Sequence, residues 1–219
     1  MAEIEVEQQK RIAETAEEQG VTKTLARMLL IKNGWDSAKV AKKLGEEPDY
    51  VFRTFNFKPS EPAPAEDTMC PCCYDDVTES AKMKMEDCGH WLCEDCFTGH
   101  CQEKLKQGPE SVMATCPDHT CRAIVSESNF KRSLTVEEFA KYKKFLRESF
   151  VQENEEARWC PTRGCDQAIE TTVGKLATVS CKCGQTYCFG CEKEPHAPLD
   201  CDLHDSWCEK IKYEKIDEK

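Results

Sequence analysis

Cysteine and histidine spacing carries the chemistry of this chain. From residue 70 the order is Cys70-x2-Cys73, then Cys88-x-His90-x2-Cys93-x2-Cys96, then Cys116-x4-Cys121. A second run reads Cys160-x4-Cys165, Cys181-x-Cys183, Cys188-x2-Cys191, His196 and Cys201. Each run offers seven thiols and one imidazole, enough for two tetrahedral sites. A soft thiolate set with one His suits Zn²⁺ better than Mg²⁺ or Ca²⁺. The x2 spacings let one tight turn aim two sulfurs at one ion, and the longer gaps then close a loop around it. Four Zn²⁺ ions are expected. His119, at x2 from Cys116, competes with Cys121 for the eighth place in the first run.

Composition narrows the class. All 17 cysteines lie between residues 70 and 208 of a 219-residue chain that is 32% charged. Mean hydropathy is -0.66. No apolar run is long enough for a membrane span, and the start, MAEIEVEQQK, lacks the basic-then-apolar order of a secretory signal. The chain is therefore expected in a reducing compartment, cytoplasmic or nuclear, where cysteines serve as ligands more often than as disulfides. The formal charge of -11 disfavours a nucleic-acid surface. Fourteen thiolates on four Zn²⁺ would take it to roughly -17. A thiol-redox role is disfavoured because the cysteines come with matched histidines and no βαβ pattern. No Ser/His/Asp arrangement, phosphate loop or pair of catalytic carboxylates can be argued from spacing. The acidic pairs Glu46-Glu47 and Glu155-Glu156 read as solvated helix ends.

The elements that must position these ligands follow from periodicity. Residues 1–56 read as helices: Ile12, Ala16, Val21, Leu25, Met28, Leu29 and Leu30 recur at helical spacing. Asn33-Gly34 is a helix stop, and Asp36 or Ser37 caps the next helix. Trp35 and Val40 are candidate core residues of a small three-helix bundle. Residues 57–68, with three prolines, read as an extended flexible linker. Residues 135–151 are a helix with a Thr135/Glu138 capping box and a Leu134/Phe139 staple. Its stripe of Phe139, Tyr142, Phe145, Leu146 and Phe150 is expected to pack on a neighbouring domain. Gly164, Gly184 and Gly190 fall between ligands, where tight knuckles need unusual backbone angles.

The first cysteine run resembles a RING finger and the second the in-between-RING (IBR) domain. That succession, over about residues 69–203, is specific to RING-between-RING (RBR) E3 ubiquitin ligases. The x4 spacing of Cys116 and Cys121 resembles the first RING of those ligases. LARMLLIKNGWDSAKVAKKL, from Leu25 to Leu44, is similar to the UBA-like domain of Ariadne-type members, a less specific match. The resemblance implies small zinc-binding α+β modules, a cross-brace RING1 and an IBR, joined by a helix and preceded by a three-helix UBA-like bundle. It divides the chain into a UBA-like domain at 1–56, the linker, RING1 at 69–126, a connecting helix at 127–157 and the IBR at 158–206, with 207–219 leading towards a RING2.

The family's pattern also implies which ligands share an ion. Cys70, Cys73, Cys93 and Cys96 would hold one, and Cys88, His90, Cys116 and Cys121 the next. Cys160, Cys165, Cys181 and Cys183 would hold a third, and Cys188, Cys191, His196 and Cys201 the fourth. In this family RING1 recruits a ubiquitin-charged E2 enzyme, and a RING2 cysteine takes the ubiquitin before a lysine does. By resemblance Cys72, His100 and Pro117 contact the E2, although Cys72 stands where an aliphatic residue is usual. In conventional RING ligases a basic residue at the place of Arg122 clamps ubiquitin against the E2; the first RING of this family often lacks it, and a salt-bridged surface arginine is the alternative. No RING2 can be built from HDSWCEKIKYEKIDEK, so no catalytic residue is assigned and Cys208 is expected to be a linker cysteine. His204 and Cys101 are expected to be surface or packing residues. Expected partners are an E2, ubiquitin and, through the N-terminal helices, a ubiquitin-like modifier. The alternative is a non-enzymatic zinc scaffold that binds ubiquitin or a ubiquitin-like protein.

Overall fold

A computed structural model describes residues 2–47, 49–51, 68–171, 174 and 177–217. The expected linker, 57–68, lies outside them except for Thr68. The chain divides into two compact units, Glu5–Glu153 and a second that comprises Met1–Ile4 and Asn154–Lys219.

Helix-forming residues open the first unit as α1 (Ala2–Gln19), α2 (Lys23–Lys32) and α3 (Ser37–Glu46). Thr22 caps α2 by accepting from the Leu25 amide at 3.2 Å, and Asp36 caps α3 by accepting from Lys39 at 2.9 Å. Ile12, Ala16, Met28, Leu29, Leu30, Trp35 and Val40 are buried, whereas Val21 and Leu25 are only half-buried. The turn after α2 is left-handed at Gly34 (φ 67°) and Trp35 (φ 59°). Its Trp35 amide donates to the Leu30 carbonyl at 2.7 Å. A Cβ at Gly34 would lie 2.9 Å from the Glu153 carbonyl oxygen, so glycine permits this close approach.

The zinc-ligand residues that follow have little regular structure. A short hairpin pairs β1 (Lys82–Lys84) with β2 (Trp91–Cys93), Met83 opposite Leu92. β2 feeds α4 (Glu94–Lys106), which buries Phe97, Cys101 and Leu105. A 3-10 turn over Gly108–Met113 leads to α5 (Glu127–Ser133) and α6 (Val136–Glu153). Thr135 and Glu138 exchange the two hydrogen bonds of a capping box, at 3.0 and 3.2 Å.

Helix α6 packs on the N-terminal helices. Tyr142, Leu146 and Phe150 are buried, and Phe139 and Phe145 half-buried. Trp35 meets Phe150 edge-to-face at 5.0 Å. Gln8 Nε2 donates to the Leu146 carbonyl at 2.8 Å. Arg27, 2% exposed, spans two elements: it donates to Tyr142 Oη at 2.6 Å and to the Val125 carbonyl at 2.9 Å. Burying a guanidinium is tolerable only with such partners.

The second unit has two hairpins. β3 (Ala157–Trp159) pairs with β4 (Ala168–Glu170), and β5 (Thr178–Ser180) with β6 (Thr186–Cys188), Val179 opposite Tyr187. Its core is Val179, Tyr187 and Phe189 packed with Cys160 and Cys181. Helix α7 (Cys201–Asp217) follows.

Candidate metal centres and the groove beside them

Four tetrads gather in space, each with all ligand atoms within 4.8 Å of one another. They are Cys70, Cys73, Cys93 and Cys96; Cys88, His90, Cys116 and Cys121; Cys160, Cys165, Cys181 and Cys183; and Cys188, Cys191, His196 and Cys201. The first two interleave along the chain and the last two are sequential. Cys121, not His119, joins the second tetrad; His119 is exposed.

The distances inside these tetrads fit zinc. Zn–S bonds of ~2.3 Å at tetrahedral angles separate two sulfurs by about 3.8 Å, and a sulfur from a ring nitrogen by about 3.5 Å. Five sulfur pairs, Cys73–Cys93, Cys88–Cys116, Cys160–Cys183, Cys165–Cys181 and Cys188–Cys201, lie at 3.8, 3.8, 3.7, 3.7 and 3.9 Å. His90 Nδ1 is 3.5 Å from Cys116 Sγ, and His196 Nε2 3.3 Å from Cys191 Sγ. A disulfide would need ~2.05 Å, and every cysteine is free. Four tetrahedral zinc sites therefore fit the residues present, and zinc would supply structural cross-linking there.

Surrounding groups orient the ligands. His196 Nδ1 donates to the Leu199 carbonyl at 2.8 Å, which aims Nε2 at its tetrad. His90 uses Nδ1 and turns Nε2 towards the Asp118 carboxylate at 3.9 Å. The Cys93 amide donates to Cys70 Sγ and the Cys96 amide to Cys93 Sγ, both at 3.4 Å.

Each tetrad holds one thiol well below the usual 9.0. Burial opposes ionisation of Cys70, yet the Cys93, Cys73 and Cys72 amides bring it to about 6. A hydrogen bond from Cys116 brings Cys88 to about 6, and the Gln185 amide does the same for Cys183. Cys188 is lowered to about 7 against its burial by the Cys191 and Gly190 amides. Burial and then neighbouring thiols push Cys96 up, and Cys201 up to about 12. Because zinc takes thiolates, metal binding would release protons from the tetrads.

Two knuckles share a conformation that the spacing did not reveal. Tyr74 (φ 64°) and Glu192 (φ 60°) each follow the second cysteine of a Cys-x2-Cys pair. Their amides close onto the carbonyls of Cys70 and Cys188 at 2.9 and 2.8 Å. Gly164 and Gly184 are left-handed, as the knuckle argument expects, but the third knuckle places the positive φ on Glu192 instead of Gly190. The closing hydrogen bond holds a non-glycine residue in this costly region.

A groove of about 730 Å³ opens beside the first two tetrads. It is lined by Cys72, His100 and Pro117 together with the apolar Trp91, Leu92 and Phe97. Burial lowers the His100 pKa, so the neutral ring donates from Nε2 to the Thr115 carbonyl at 2.9 Å. Arg122 is exposed and is not among the lining residues. Cys101 is fully buried, its thiol pushed up to about 12 by burial, as suits a packing residue. His204 and Cys208 are not isolated: His204 Nε2 lies 3.5 Å from Cys208 Sγ, and the His204 ring stacks on His196 at 4.5 Å. Their i,i+4 spacing was the available signal.

A cross-braced pair of zinc sites followed by a sequential pair defines a tandem RING-type zinc protein. Comparison with known proteins narrows this. Residues 140–201 match the IBR domain, a half RING-finger domain. The chain is 32% identical over 201 residues to the probable E3 ubiquitin-protein ligase ARI3 of Arabidopsis thaliana, covering 89% of this chain and 37% of that protein. It is 30% identical over 191 residues to the probable E3 ubiquitin-protein ligase ARI7 of the same plant, covering 85% and 34%. Among solved structures, Pediculus humanus Parkin bound to phospho-ubiquitin aligns with a TM-score of 0.41 at 24% identity, over 63% of this chain and 49% of that one. The chain is an Ariadne-like member of the RING-between-RING family. It spans about a third of the length of the curated relatives it matches. Among the described residues no helix is long and apolar enough to cross a membrane.

Proposed function

We propose that this chain is the E2-recruiting part of an RBR-type E3 ubiquitin ligase. In this reading residues 1–56 are a UBA-like domain, 69–126 RING1, 127–157 the connecting helix and 158–206 the IBR. The groove carries the proposal. Three residues far apart in the chain, Cys72, His100 and Pro117, line one apolar recess beside two zinc tetrads. Its volume is in the range of real binding sites. The tetrads fix the loops that form its walls, so an E2 loop meets a preorganised surface. Arg122, exposed and not among the groove-lining residues, is left to touch the ubiquitin that the E2 carries. Transfer through a catalytic cysteine would then be the work of a RING2, with 207–219 leading towards it.

Titrating the chain with ubiquitin-charged E2 enzymes tests this. His100→Ala and Pro117→Arg should each weaken binding about tenfold or more, which is ~1.4 kcal/mol. Thr171→Ala should leave it unchanged, and all three variants should keep their zinc. Failure of every E2 tested to bind would instead favour a zinc scaffold without ligase function.

A further inference from the structure

The first tetrad has a fifth thiol beside it. Cys72 lies between the ligands Cys70 and Cys73, is exposed, and stands outside the group of four. Its thiol nevertheless makes a hydrogen-bonding contact with the thiol of Cys96. Cys72 and Cys96 also line the same groove, which Cys70, Cys73 and Cys93 do not. One corner of the tetrad, Cys96, is therefore open to the groove, and Cys72 sits against that corner.

The knuckle does not require a thiol at this place. In the matching pair Cys188-x2-Cys191 the same position is Gly190. The Gly190 amide donates to the Cys188 thiol as the Cys72 amide donates to Cys70, so the backbone alone makes that hydrogen bond. The closing hydrogen bonds of Tyr74 and Glu192 are common to the two knuckles as well. What Cys72 adds is a second soft donor at the Cys96 corner. Zn²⁺ is d¹⁰ and has no electronic preference that resists exchanging one thiolate for another. We infer that Cys72 is a reserve ligand of the first zinc site, able to take the place of Cys96. The exchange moves one metal–sulfur bond from Cys96 to Cys72 and passes one proton from the Cys72 thiol to the freed Cys96 thiolate. It needs no oxidant. It would also draw Cys72 out of the groove wall, so that the groove lining and the metal site change together. The alternative is an exposed thiol that only packs against Cys96.

Zinc counting and residue-mapped alkylation of the reduced, zinc-loaded full chain distinguish these. Cys72→Ser and Cys96→Ser should each keep four zinc ions, one per tetrad. The double variant, Cys72→Ser with Cys96→Ser, should hold one fewer than the four tetrads. Iodoacetamide should modify Cys72 readily in the unaltered chain and at least about tenfold more slowly in Cys96→Ser, because a thiolate bound to metal is not free to attack. This second readout uses the single variant, so it decides the matter even where the double variant does not fold. A Cys72 that reacts as fast in Cys96→Ser as in the unaltered chain overturns the inference. So does an equal zinc content in Cys96→Ser and the double variant.

Discussion

Withdrawing zinc with a strong chelator should unfold the chain from Asn154 onward. The core there contains three large apolar side chains, Val179, Tyr187 and Phe189, beside two of the cysteines. Each such side chain contributes about 1.5–3 kcal/mol on burial. A structural zinc site contributes on the order of 10–16 kcal/mol at neutral pH. Metal therefore outweighs packing in this unit. The first unit should respond differently. Its helices carry an apolar core of their own, including Leu29 and Leu30 of α2, Trp35 in the turn after α2, and Leu146 and Phe150 of α6. Chelation should abolish tertiary signals from residues 157–201 and around the groove while much of the helical circular dichroism persists. Restoring Zn²⁺ under reducing conditions should restore both. Unchanged amide-exchange protection at Tyr187 and Phe189 after complete zinc removal would show that packing suffices there.

Trp35→Ala should produce the largest loss of stability available away from the metal centres. Trp35 is fully buried against Phe150 at 5.0 Å and sits where α2 turns into α3. Removing a buried Trp or Phe side chain costs about 3–5 kcal/mol through lost transfer energy and the cavity left behind. The left-handed backbone at φ 59° would remain, so an alanine keeps the local strain without the contact. Denaturant unfolding of the helical signal should shift by that amount, with four zinc ions retained. Trp35→Phe should recover much of the loss, because the indole nitrogen has no hydrogen-bond partner to forfeit. An unchanged midpoint for Trp35→Ala would mean that the N-terminal helices do not depend on packing against α6.

Much of this was legible in the residue order, for definable reasons. A Cys-x2-Cys pair brings its sulfurs together by local geometry alone, so ligand identity could be argued from spacing. The crossing of the first two tetrads is a long-range property, and only family resemblance suggested it. The Thr135/Glu138 box could be read because a capping box is local, and its hydrogen bonds form. Arg27 was not legible. A charged residue in an amphipathic helix reads as solvated, and its burial depends on Tyr142 and Val125, both distant in sequence. Tyr74 and Glu192 were missed because their left-handed angles arise from knuckle closure and not from residue type. The His204–Cys208 pair was missed because the boundary read between the IBR (158–206) and the segment 207–219 fell between the two residues, while the structure puts both on one helix, Cys201–Asp217.

The central claim is that four Cys/His tetrads, each holding one zinc ion, build this fold. Native mass spectrometry of the freshly purified, reduced chain, with thiol counting after denaturation, tests it most directly. The account predicts a mass excess of four zinc ions and all 17 cysteines recovered as thiols. A folded chain without metal, or one whose cysteines are recovered as disulfides, would contradict it.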